Sequence, residues 1–149
     1  MSGTAHRERN IFVEGPLDPM SIGESIAKHS GKTSIGAHEL FLGQVRADEM
    51  NGRRVEAIEY SAYKEMAMAA MTAIREETFE RWPITCLHVH HALGRISAGE
   101  LCFMVFASAA HRKAAREAVA YVTDQVKQRL PIYGKELFKE GGHQWKVND

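Results

Sequence analysis

Ser108-Ala109-Ala110-His111-Arg112 opens a helical pattern that closes at Lys127-Gln128-Arg129-Leu130-Pro131-Ile132-Tyr133-Gly134-Lys135-Glu136. Residues 101–107, just before it, form an apolar run of strand length. Within it, Ala115, Ala118, Val119, Val122, Val126 and Leu130 recur at intervals of three and four, which makes one stripe of a helix. Pro131 stops the helix, since it lacks an N–H and its ring clashes with the preceding turn. A buried strand feeding a one-faced helix calls for a sheet that this face can cover. Lys127 sits beside the stripe, at its edge.

The strand-to-helix junction favours anions. The first N–H groups of a helix have no intrahelical partner, and the dipole adds partial positive charge there. His111 and Arg112 add donors at that end. Arg112 opposes the dipole by about 0.3–1 kcal/mol at an exposed site, a cost that a bound phosphate or carboxylate would offset. A solvated Arg and a helix-capping His are the plainer reading.

Outward from this stretch, residues 84–93 form a strand and residues 94–99 a turn before the 101–107 strand. A long helix is expected over residues 63–82, ended by Pro83. Met66, Ala70, Ile74 and Thr78 recur at four, with Ala67, Met71 and Phe79 beside them, so its methionines read as core filler. Upstream, residues 55–60 form a strand, with Val55, Ala57 and Glu59 on one face and Glu56, Ile58 and Tyr60 on the other. Residues 35–45 form its partner, with Leu40, Leu42 and His38 on one face and Phe41 opposite. Gly43 marks a bulge or a close backbone approach. Residues 46–54 read as a mobile hairpin loop turning at Asn51-Gly52. Ser21-Ile22-Gly23-Glu24 fits a capping box for a short helix reaching residue 29, after a short strand at 11–13. Residues 144–147 form a closing strand after Gly141-Gly142. The expected order is β, α, β-hairpin, α, β-hairpin, α, β. This is an α+β sandwich, a mainly antiparallel sheet with helices on one face.

The chain has 149 residues, enough for one domain with a sizeable core. No repeat or linker divides it, so residues 11–149 are expected to form one catalytic domain behind a loose tail, residues 1–10. Lys+Arg and Asp+Glu stand at 19 each, which argues against a general nucleic-acid binder yet leaves room for a local basic pocket. Cys86 and Cys102 lie in apolar strand-like runs and read as buried thiols of a reducing compartment. No apolar run approaches the ~18 residues of a membrane span, and the polar start lacks a signal-peptide core. A cytoplasmic protein is expected.

Four constellations compete for the chemistry. His88 and His90 share a strand face opposite His91, but no third ligand at metal spacing is evident, so no metal is expected. Ser108 lacks a nucleophile elbow. Glu76, Glu77 and Glu80 read as a solvated helix face. The fourth is cationic: Arg46 at a strand end, His111 and Arg112 at the helix start, Lys127 near its end and Lys135 beyond Pro131. Arg112 and Lys127 lie about 22 Å apart at 1.5 Å per residue, too far for one small ligand. They serve different sites, or they converge across a two-fold interface.

In the order and spacing of its motifs the chain resembles the catalytic (large) subunit of molybdopterin synthase. The resemblance covers roughly residues 40–145. It rests on Gly43-Gln44-Val45-Arg46, His91-Ala92-Leu93-Gly94 with Gly99-Glu100, Ala109-Ala110-His111-Arg112, Lys127, and Pro131-Ile132-Tyr133-Gly134-Lys135-Glu136 with Trp145. It implies an α/β-hammerhead fold and a cytoplasmic sulfurtransferase of molybdenum cofactor biosynthesis. Such an enzyme converts precursor Z, a cyclic pyranopterin monophosphate, to the molybdopterin dithiolene. The sulfur comes from the C-terminal Gly-Gly thiocarboxylate of a ubiquitin-like small subunit, and no cofactor is needed. The resemblance also implies a homodimer of large subunits with a small subunit at each end, a heterotetramer. Arg46, His111 and Arg112 then bind substrate and Lys127 is the chemical residue. The family's second lysine falls at Gly134, and Lys135 is the expected substitute on a loop that Gly134 lets turn. Two readings from other classes stand beside it. One is a non-catalytic dimer that binds a phosphorylated metabolite through His111 and Arg112. The other is a small metal-dependent hydrolase built on His88 and His90.

Overall fold

The computed structural model describes residues 10–147. The expected tail, residues 1–10, falls outside them except for Asn10, whose Oδ1 accepts the Phe12 N–H at 3.0 Å.

Eight strands and three α-helices are formed among the described residues: β1 Phe12–Glu14, α1 Pro19–Lys28, β2 Ala37–Gln44, β3 Glu49–Met50, β4 Arg53–Ala62, α2 Lys64–Arg81, β5 Ile84–Ser97, β6 Leu101–Ala109, α3 Arg112–Arg129, β7 Ile132–Phe138 and β8 His143–Trp145. The strands run β2-β6-β5-β4-β7-β8 across the sheet, antiparallel throughout, with β1 added parallel to β5. The α+β class and the mainly antiparallel sheet with two long helices are as expected. Among the described residues, no helix is long and apolar enough to cross a membrane.

β5 is the strand that joins the two halves of the sheet. Up to His91 it pairs with β6, and from Gly94 it pairs with β4. Gly94 has φ +88°, a conformation open to glycine and costly for other residues, and it lies where the strand changes partners. The sequence predicts an end to this strand at Leu93 and a turn over residues 94–99. In the structure the ladder runs on to Ser97 and the chain turns only at residues 98–100.

α3 lies over β6 and β2, and α2 packs against α3. Every residue of the α3 stripe is buried, from Ala115 through Leu130. On α2 the buried face is Ala67, Met71, Ile74 and Thr78, while Met66 is 64% exposed. The strict four-residue period misplaced Met66, because a helix of 3.6 residues per turn drifts off such a row. Glu77 of α2 clamps α3: Arg129 donates to both its oxygens at 2.7 and 3.0 Å, and the Tyr121 hydroxyl donates at 2.5 Å. These donors, Arg129 foremost, hold the Glu77 carboxyl down to about 2.

Phe103 and Phe106 are three apart on β6 and so point to opposite faces. The α3 side chain Lys127 covers Phe103, whereas Phe106 meets His29, the residue that follows α1. The short helix therefore covers the face that the long helices leave open. Its N-cap is Asp18, which accepts the Met20 N–H at 3.0 Å, with Pro19 at the first position. The capping box at Ser21 and Glu24 is not formed.

Four further expectations are corrected. Residues 35–45 are not the partner of strand 55–60: β2 pairs with β6, and β4 lies between β5 and β7. Glu56 and Glu59 are both exposed, which strict alternation forbids, because a register shift between Val55 and Ala57 resets the face. The loop at residues 46–54 is partly laddered: Glu49 pairs with Arg54 and Met50 with Arg53, around a turn with positive φ at Asn51 and Gly52. Most consequential, residues 132–138 are a strand, not a loop, and they pair with β4 along their whole length. Gly43 is as expected, at a register shift, with its position 3.2 Å from Phe103 Cβ for any added β-carbon.

Candidate active site

Lys127 stands in the last turn of α3, half-buried, with Nζ 5.2 Å from the centre of the Phe103 ring. It lines a cavity of about 270 Å³ with Arg46, Tyr60, Cys102, Glu136 and Lys146. It also lines a second hollow of about 550 Å³, whose wall includes Met66, Tyr133 and Trp145. Lys146 borders both. Burial lowers the pKa of the Lys127 ammonium, and the Lys146 charge lowers it further, against an opposite pull from Cys102.

Lys146 reaches this place through the β7–β8 ladder. Its backbone N–H donates to the Gly134 carbonyl at 2.7 Å. Gly134 is buried, and a β-carbon there would lie 2.9 Å from Ile58 Cγ2 and 3.1 Å from Tyr60 Cε1. Glycine at 134 thus lets β7 lie close against the side chains of β4, and the lysine comes from the residue that follows the neighbouring strand.

The remaining wall is polar and largely buried. Glu136 is 5% exposed and accepts from Gln144 Nε2 at 3.0 Å. The Tyr60 hydroxyl donates to Cys102 Sγ at 3.6 Å, and burial, aided by Cys102 and Glu136, pushes its pKa up so that it stays protonated. His91 lies behind Lys127 with its ring 4.9 Å from Tyr60, and its Nδ1–H donates to the Ala92 carbonyl at 2.8 Å. Burial lowers its pKa to about 4, so it is neutral at pH 7.

The structure gathers some of the expected site residues and separates others. Arg46 and Lys127 share the cavity, although Arg46 Nε is paired with Asp48 Oδ1 at 3.3 Å. Lys135 lies outside it. It alternates with Gly134 and Glu136 along β7, and its Nζ sits 3.5 Å from Glu59 Oε1 and 5.6 Å from the Trp145 ring. His111 and Arg112 are exposed at the opposite end of α3, and His111, the N-cap residue, makes no side-chain capping bond. Lys146, Glu136 and Tyr60 were missed. The signal for Lys146 was its place in the closing strand, but only knowledge of that strand's partner could have used it. His88 and His90 go to different surroundings: His88 meets His29 and Phe106, while His90 borders a hollow with Leu17 and Met104.

The MoaE protein family matches residues 14–129. A molybdopterin synthase catalytic subunit from Pyrococcus abyssi is 43% identical over 130 residues, covering 87% of this chain and 86% of that protein. Molybdopterin synthase catalytic subunit 2 from Aedes aegypti is 37% identical over 142 residues, covering 92% and 89%. Among solved structures, molybdopterin synthase from Staphylococcus aureus superposes with a TM-score of 0.81 at 28% identity, covering 95% of this chain and 98% of that one.

Proposed function

The chain belongs to the MoaE protein family, and from that premise we propose that its Lys127 cavity transfers sulfur from a thiocarboxylated small subunit to precursor Z, making the molybdopterin dithiolene. The relatives are named catalytic subunits, a name that presupposes a second subunit. The observation that carries the proposal is that Lys127 and Lys146 border two hollows at once.

The two hollows differ in chemistry. The one at Arg46 offers a guanidinium and suits a phosphorylated pterin through planar, paired donors. The one at Met66, Tyr133 and Trp145 is aromatic and suits the extended Gly-Gly tail of a ubiquitin-like partner. Phosphate and thiocarboxylate are both anions, and two ammonium groups fixed between them hold the reacting ends together. A lysine with a lowered pKa also passes a proton more readily near neutral pH, which makes Lys127 the chemical residue and Lys146 its electrostatic partner.

The functional unit in this reading is a dimer. His111 and Arg112 lie about 22 Å from Lys127 along α3. A two-fold pair of large subunits brings His111 and Arg112 of one copy to the cavity of the other. A small subunit on each completes a heterotetramer. Lys135, tied to Glu59, has no role in transfer in this reading.

Reconstitution tests it. This protein is mixed with a thiocarboxylated ubiquitin-like small subunit and precursor Z, and the dithiolene product is measured. Product from the wild type and none from Lys127→Ala supports sulfur transfer. No product from a folded wild type that still binds the small subunit favours the non-catalytic binding role.

A further inference from the structure

We infer that His29, Cys86 and His88 form a binding site for a thiophilic divalent cation of the zinc class, on the sheet face opposite Lys127. Cys86 and His88 are alternate residues of β5, so both side chains leave the same face. His29 comes in from the turn that follows α1. One ligand atom from each of the three lies within 4.8 Å of the others.

The arrangement is close to a coordination geometry. His29 Nε2 and His88 Nε2 are 3.3 Å apart. Tetrahedral zinc, with Zn–N bonds of about 2.0–2.1 Å, holds two ligand nitrogens about 3.3–3.4 Å apart. His29 is also oriented as a ligand: its Nδ1–H donates to the Ser25 carbonyl at 2.7 Å, which leaves the Nε2 lone pair facing His88. Cys86 supplies the soft donor that selects zinc-like ions over magnesium or calcium.

Partial exposure leaves a way in. His29 and Cys86 are buried, while His88 is half-buried and Lys32 exposed. Lys32 Nζ donates to Cys86 Sγ at 3.0 Å. Being exposed, it can turn out to solvent when a cation takes the sulfur. Three protein ligands leave a fourth position for water.

The test uses the full chain, reduced and stripped with a chelator, and titrated first with Co²⁺ and then with Zn²⁺. The expected result is one Co²⁺ per chain, with thiolate-to-metal charge-transfer absorption and the intense visible bands of four-coordinate cobalt, displaced by Zn²⁺. Cys102→Ser keeps that spectrum and Cys86→Ser loses the charge-transfer band. His88→Gln weakens binding at least about 100-fold. Cobalt that binds without a thiolate band, no stoichiometric binding, or an unchanged spectrum in Cys86→Ser overturns the site. If the variants fail to fold, the wild type decides: Zn²⁺ must slow alkylation of Cys86 and leave that of Cys102 unchanged.

Discussion

The backbone N–H of Lys146 donates to the carbonyl of Gly134 at 2.7 Å, which sets a lysine beside a residue with no side chain. The ammonium that the family resemblance implies at position 134 is absent, and one from Lys146, the residue after β8, borders the same cavity as Lys127. A missing lysine at Gly134 favours a non-catalytic role, and Lys146 beside Lys127 weakens that ground.

Lys127→Ala is expected to reduce turnover in the reconstituted system by about 10²–10³-fold or more, the scale of removing one preorganised charge donor. Lys127 is half-buried and lies outside the α3 stripe, so circular dichroism and melting temperature should change little. A folded variant that keeps more than a tenth of wild-type turnover removes Lys127 from the chemistry.

Lys146→Gln is expected to lower turnover and also to change its pH dependence. The Lys146 charge lowers the Lys127 pKa, so its removal favours the protonated form and moves the alkaline limb of the rate profile to higher pH. A merely structural lysine would leave that limb in place. Lys135→Gln is the control and should retain wild-type turnover, since Lys135 faces Glu59 outside the cavity.

Gly134→Ala should destabilise the fold by about 1–3 kcal/mol, the usual penalty for an extra carbon in a packed core. Its β-carbon would lie 2.9 Å from Ile58 Cγ2, a branched side chain that is 3% exposed and has little room to yield. Gly134→Lys, which places there the lysine that the family resemblance implies, should cost at least as much. Urea unfolding measures both, and a Gly134→Lys protein as stable as wild type would refute the packing account.

Stability should fall in mild acid, in part through His91. Its pKa is about 4 in the fold against an ordinary value near 6.5, so between those values the unfolded chain binds the proton and the folded chain does not. The contribution is complete above about pH 6.5 and is lost as pH falls to about 4. Its size is on the order of 3 kcal/mol. His91→Gln should flatten the difference between denaturation curves taken at pH 7 and pH 4.5. Equal acid sensitivity in wild type and variant would exclude His91 as a contributor.

The long helices, most strands and the buried thiols were legible because each rests on a local signal. The α3 stripe, the stops at Pro83 and Pro131, and the Asn51-Gly52 turn all act within a few residues. β7 was not legible. Ile132-Tyr133-Gly134-Lys135-Glu136-Leu137-Phe138 mixes a central glycine with two charges, and it is held as a strand by pairing with β4, 70 to 83 residues earlier in the chain. Missing that strand led to the expectation that Lys135 swings on a loop.

The sequence by itself determined the α+β class, the family resemblance, and the choice of Arg46 and Lys127, because helix periodicity, chain breakers and motif spacing are written locally. Only the tertiary structure decided which cations meet. Strand register brought Lys146 to the cavity and turned Lys135 towards Glu59, and α1 carried His29 to Cys86 and His88. Register is fixed by hydrogen bonds between distant segments, and a shift of one residue turns a side chain to the other face.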